Sequence, residues 1–192
     1  MLRKLYNWTI SLAAHPSALW ALAVVAFAES SVFPIPPDVL MIPMIIARPS
    51  RAWVIAGVAL VFSVLGGLLG YFIGAVLFDS IGQPILDFYG KAEAGARFAE
   101  QFNSYGAWAV LIAGVTPFPF KVITILSGWT GLSLPIFVVS AIVARGLRFF
   151  IVAGLLWKFG PPIRDFIEER LGLMFTLATL LLVGGFAAVK LL

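Results

Sequence analysis

FPIPPD, residues 33–38, decides how this chain is read, because it sets three prolines and an aspartate inside one of the most apolar regions of the sequence. TPFPFK, residues 116–121, repeats the oddity, and 117 minus 34 gives an offset of 83 between the two proline patterns. Proline lacks a backbone donor and crowds the preceding turn, so a helix carrying such a stretch breaks into two arms. Pro34, Pro36 and Pro37 break the first region, and Pro117 and Pro119 the second.

The surrounding composition makes those breaks unusual. Of the 192 residues, 61% are hydrophobic and 11% charged, and the mean hydropathy is +1.05, too little polar surface for an ordinary soluble globule. The chain is expected to be an all-α integral membrane protein. Its N-terminus, MLRKLYNWTISLAAHPSALW, is basic and then apolar without a tidy cleavage site, and is read as retained. There is no cysteine, which excludes disulfides and thiolate metal sites. The net charge of +4 suits anionic lipid surfaces.

About 20 apolar residues cross a bilayer core as helix, and Trp53–Phe78, Leu134–Trp157 and Gly172–Leu192 reach that length, giving about three full spans. Residues 18–47 are cut by the first prolines and by Pro43, and residues 106–131 by the second pair. Each region should therefore form a re-entrant hairpin of two short arms, with its broken backbone satisfied by protein or water. The polar segment 79–104 carries scattered charges among Phe88, Tyr89, Phe98 and Phe102 and reads as an amphipathic interfacial helix.

The offset of 83 also pairs Asp38 with Lys121 and Tyr6 with Tyr89. Both halves run surface helix, broken hairpin, full span. One span per half turns the second half upside down, so the expected fold is an inverted repeat with opposed hairpins. Residues 1–79 form the first repeat, 80–158 the second, and 159–192 a linker and C-terminal span. With the N-terminus in the cytoplasm, Arg3, Lys4, Arg48, Arg51, Lys158, Arg164 and Arg170 lie inside, against Lys91, Arg97 and Lys190 outside, as the positive-inside rule requires.

Five charges remain within or beside apolar segments: Glu29, Asp38, Lys121, Arg145 and Arg148. A charge at membrane depth costs about 2.5–3.5 kcal/mol, so such residues face protein or water and mark pathways by default. Arg145 and Arg148, three apart on one helix face, suit a phosphate, and Lys121 adds a point charge beside the second break. Glu29 and Asp38 either carry protons or serve as buried counter-ions. His15 is a lesser candidate for proton relay, and Arg48 and Arg51 read as interfacial anchors. Trp8, Trp20, Trp53 and Trp108 look like interface belts, and Gly66, Gly70 and Gly74 like a helix-packing stripe. No nucleophile–base pair, metal-ligand cluster or P-loop is present, so neither an enzyme, a metal, a cofactor nor a nucleic-acid partner is expected.

Glu29 with FPIPPD, the GxxxGYxxG at Gly66 to Gly74, KVITILSG from Lys121 to Gly128 and RGLRFF from Arg145 to Phe150 together resemble the DedA family of the VTT-domain (SNARE-associated) superfamily, in its YqaA-like branch. The resemblance implies opposed re-entrant hairpins in a bacterial inner membrane. It also implies movement of phospholipids or undecaprenyl phosphate between leaflets, linked to the proton gradient; other members of the superfamily are lipid scramblases. It places the family's embedded acids on Glu29 and Asp38, and its basic residues on Lys121 and Arg145. The family's second hairpin usually has two arginines bracketing a proline, whereas here Val115 takes the first place and Lys121 the second.

The expected function is a multi-pass lipid flippase. Lys121, Arg145 and Arg148 would hold a lipid phosphate, and Glu29 and Asp38 would gate it by protonation. Lipids and protons are the expected partners, and an oligomer is compatible with the sequence. A proton- or ion-coupled solute transporter and a non-transporting scaffold are the competing readings.

Overall fold

A computed structural model of the protein describes residues 17–32, 36–90, 92–116 and 119–169, and every regular element among them is helical. In chain order these are α1 (Ala18–Ser31), α2 (Asp38–Ala47), a short 3-10 turn (Pro49–Arg51), α3 (Ala52–Leu77), a π turn (Phe78–Gly82) and α4 (Gln83–Phe88). There follow α5 (Ala92–Ser104), α6 (Gly106–Val115), α7 (Phe120–Trp129) and α8 (Leu134–Glu169).

Both proline stretches interrupt helix. Between α1 and α2, Pro36 and Pro37 come directly before Asp38, whose carboxylate sits in the first turn of α2, where the helix dipole favours it. Between α6 and α7, Thr116 and Pro119 are extended. Pro34 and Pro117 lie outside the described residues, as do Arg3, Lys4, Tyr6, Trp8, His15, Lys91, Arg170, Lys190 and the expected span Gly172–Leu192.

Pro43 corrects the sequence reading, because it lies inside α2 and does not cut it. A proline there removes one hydrogen bond, but Met41, Met44, Ile45 and Ile46 are buried on the same helix and hold it in place. The segment 79–104 is a second correction: two helices, α4 and α5, are separated by a turn in which Gly90 takes a positive φ of 64°. Helix α8 also runs on past Trp157 to Glu169.

The two long helices run antiparallel. Trp53, early in α3, stacks on Phe150 and meets Trp157 late in α8, while Tyr71 meets Phe137 near the start of α8. The first hairpin opens at the N-terminal end of α3, where Ala18, Leu19 and Leu22 pack in one cluster with Ala52 and Ile55. The second opens at the other end, where Trp129 meets Phe78 and Leu132 covers Gly106. A Schellman turn closes α7 there, with Leu132 N–H donating to the Ser127 carbonyl, Gly131 N–H to that of Gly128, and Gly131 at a φ of 66°.

Each long helix touches the first arm of its own hairpin and the second arm of the other: α3 packs on α1 and α7, and α8 on α6 and α2. Glycine makes these contacts close. A Cβ on Gly66 would sit 2.0 Å from the Phe27 carbonyl oxygen, one on Gly74 2.0 Å from that of Ile125, and one on Gly128 1.8 Å from that of Tyr71. Backbone therefore meets backbone along the stripe, as small residues allow between membrane helices.

The outward faces are apolar. Val61, Leu65, Leu69, Phe72 and Val76 on α3, and Val139, Val143, Leu147, Ile151 and Leu155 on α8, are all exposed. A continuous apolar face of this kind is stable against lipid and not against water. Pro49–Leu77 and Leu134–Gly160 are each long and apolar enough to cross a bilayer.

Candidate functional site

The five embedded charges come together where the two proline breaks meet the middle of the long helices. Halfway between residues 49 and 77 is Ser63, and halfway between 134 and 160 is Leu147, flanked by Arg145 and Arg148.

Arg145 is 1% exposed. Its Nη2 donates to Glu29 Oε2 on α1, and its Nε donates to Ser63 Oγ on α3 at 2.7 Å. The guanidinium lies 4.7 Å from the ring centres of both Phe120 and Phe149, so two aromatic faces cover the rest of it. Ser30 completes the group, with its Oγ 2.7 Å from Ser63 Oγ and donating to Glu29 Oε2 at 3.1 Å. One buried cluster thus ties α1, α3, α7 and α8 together. Breaking such a pair by removing one partner costs about 3–5 kcal/mol, because the remaining charge is stranded out of water.

Arg148 makes the second pair. Its Nη2 donates to Asp38 Oδ2 at 2.6 Å, and its Nη1 donates to the Thr116 carbonyl at 2.7 Å. One guanidinium therefore spans both breaks, joining the first turn of α2 to the carbonyl of Thr116, the residue that caps the C-terminal end of α6. The pair is partly open, with 17% and 18% of the two side chains exposed. Although three residues apart, Arg145 and Arg148 hold different carboxylates and do not converge on a shared partner.

Lys121 follows the second break and reaches across to the first, where its Nζ donates to the Val32 carbonyl at 3.3 Å. Among the described residues it has no carboxylate partner. Among the described residues, three cations against two carboxylates leave the cluster with one positive charge in excess. Thr124, one turn on, locks the arm in place by donating to the Ser30 carbonyl at 3.0 Å.

Sequence reasoning picked out all five charged residues and missed their uncharged partners. Ser30, Ser63, Thr124 and the Thr116 carbonyl satisfy the site, and Phe120 and Phe149 cover it. A hydroxyl at the centre of an otherwise apolar span, as at Ser63, is the signal that was there to be read. No group of acidic, histidine or cysteine side chains among the described residues could hold a metal ion.

The VTT domain matches residues 35–158, which spans both breaks, both arginines and Lys121. An uncharacterized protein of Haemophilus influenzae and one of Histophilus somni are each 36% identical to the chain over 168 residues, covering 85% of this chain and 87% of theirs. No solved structure matches it.

Proposed function

The chain belongs to the DedA family, whose VTT domain it carries, and from that premise we propose that it moves a phosphate-bearing lipid between the leaflets of a bacterial cytoplasmic membrane. The family is one of proposed membrane transporters and not of enzymes. The observation that carries the finer reading is the meeting of two broken hairpins at a mid-span cluster that, among the described residues, has one excess cation.

The hairpins are read as re-entrant. Arms of 14 and 10 residues extend about 21 and 15 Å at 1.5 Å per residue, short of a hydrocarbon core of about 30 Å. Adding 83 to the end of α1 (31) and to the starts of α2 and α3 (38 and 52) gives 114, 121 and 135. The corresponding bounds of α6, α7 and α8 are 115, 120 and 134, which supports an inverted repeat.

Lys121, which has no carboxylate partner among the described residues, makes the first contact with a lipid phosphate. Arg148 then exchanges Asp38 for a phosphate oxygen as Asp38 takes up a proton, and Arg145 is freed when Glu29 takes up another. Each protonation of a carboxylate releases one guanidinium for the head group. The acyl chains stay in lipid along the apolar outer faces of α3 and α8, and this is why few polar residues suffice.

The test is lipid movement in proteoliposomes with labelled phospholipid or polyprenyl phosphate, with and without a pH gradient, for wild type and Lys121→Ala. Loss of one charge-assisted contact is expected to weaken handling of the anionic lipid about tenfold or more, without affecting folding. Wild type that is folded and moves none of these lipids would leave solute transport or scaffolding as the better account.

A further inference from the structure

Ser127 on α7 is fully buried, and its Oγ has no hydrogen-bond partner among the described residues. A buried hydroxyl without a partner is costly and rare, and in a polar setting it commonly marks a site for internal water. Here a hydroxyl lies one turn to either side along the chain. Thr124 lies one turn before Ser127 and touches the Ser30 carbonyl, next to the Glu29 cluster. Thr130 lies three residues after it, and its Oγ1 donates to Asn103 Oδ1 at 3.0 Å at the end of α5. Three hydroxyls on successive turns thus run from the middle of the molecule to the end at which the second hairpin opens.

That end is open. A groove of about 650 Å³ lies between α5 and the ends of α3 and α7, bordered by Gln83, Glu93, Trp129 and Thr130. Thr130 therefore belongs both to the groove wall and to the hydroxyl row.

We propose that Ser127 holds buried water joining Thr130 to Thr124, so that a hydroxyl-and-water path carries protons from the α5 groove to Glu29. Each hydroxyl accepts one proton as it passes another on; the Thr124 hydroxyl, which donates to the Ser30 carbonyl, is joined to Ser30 Oγ by a second water, and the last transfer, from Ser30 Oγ, puts the proton on Glu29 Oε2 as Arg145 is released. The charged groups around that endpoint are Arg145 and Arg148 from α8 and Asp38 from α2; α3 contributes Ser63, and α7 contributes Thr124 and Lys121. Access is one-sided, from the end of α3 remote from its start. The path rests on the proton gating of Glu29 proposed above and adds its route.

Two measurements test it. In proteoliposomes, proton entry is driven by a potassium diffusion potential and followed with an internal pH dye for wild type, Ser127→Ala and Ser127→Val. Valine removes the hydroxyl and puts methyl groups where the proposed water would sit, so flux is expected to fall about tenfold, the factor of one lost buried hydrogen bond. Alanine leaves room for water and should fall less. Absence of flux in wild type, or unchanged flux in a folded Ser127→Val protein, overturns the path.

Independently of transport, water-edited solid-state NMR of the reconstituted wild type should show magnetisation transfer from water to Ser127. A dry Ser127 overturns the proposal even where lipid moves. Lipid movement that persists in Ser127→Val but loses its response to a pH gradient supports the path and the lipid reading together. A wet Ser127 with proton flux but no lipid movement supports the path and removes the lipid reading alone.

Discussion

Replacing Gly66 by alanine tests whether backbone contact between α1 and α3 sets the geometry of the charged cluster. The new Cβ would sit 2.0 Å from the Phe27 carbonyl oxygen and 2.7 and 2.8 Å from the carbonyl carbon and Cα. All three atoms are backbone, so no side-chain rotation relieves the overlap. Restoring an ordinary contact of about 3.4 Å moves α1 outward by about 1.4 Å (3.4 minus 2.0). Ser30 Oγ would then stand about 4.1 Å from Ser63 Oγ instead of 2.7 Å, beyond hydrogen-bond range.

Overpacking costs about 1–3 kcal/mol and the lost hydrogen bond about 0.5–1.5, against about 0.8–1 gained from alanine's helix preference, for a net loss of about 2 kcal/mol. Gly57 on the same helix is the control, since a Cβ there meets nothing within 4 Å. Gly57→Ala should be neutral or stabilising by up to about 1 kcal/mol. The assay is reversible unfolding of both variants in mixed micelles, with lipid movement measured alongside. If Gly66→Ala proved as stable as Gly57→Ala and kept wild-type activity, the close approach of α1 to α3 would not be what positions Glu29 and Ser30.

Two further predictions concern the ion pairs. Arg145→Met strands Glu29 and should cost about 3–5 kcal/mol of stability, while adding Glu29→Gln should recover much of that loss; a thermodynamic cycle in micelles measures the coupling. Arg148→Lys keeps the charge but cannot reach Asp38 and the Thr116 carbonyl as a planar fork does, so it should cost about 1–2 kcal/mol. A spin-label distance between α2 and α6 should broaden correspondingly, and an unchanged distribution would show that Arg148 does not clamp the two breaks.

The sequence by itself determined where helix could not continue. Proline chemistry at residues 36, 37 and 119 acts locally, so the interruptions between α1 and α2 and between α6 and α7 follow from it without tertiary information. The long apolar runs behind α3 and α8 were equally plain, because span length depends on composition alone. The embedded charges stood out for the same reason: a charge in an apolar run is costly wherever it ends up.

Tertiary structure decided what each local feature became. Pro43 reads like the other prolines, yet α2 continues through it because its buried methionines and isoleucines are held by α3 and α8. Arg145 and Arg148 read as one patch, but a turn of 60° about α8 sends them to carboxylates on different helices. Lys121 matches Asp38 in the repeat, and only the packed arms show that Arg148 takes Asp38 and leaves Lys121 facing a carbonyl. Pairing depends on which helices lie side by side, through glycine contacts between residues about 40 to 60 apart in the chain, and no local pattern carries that information.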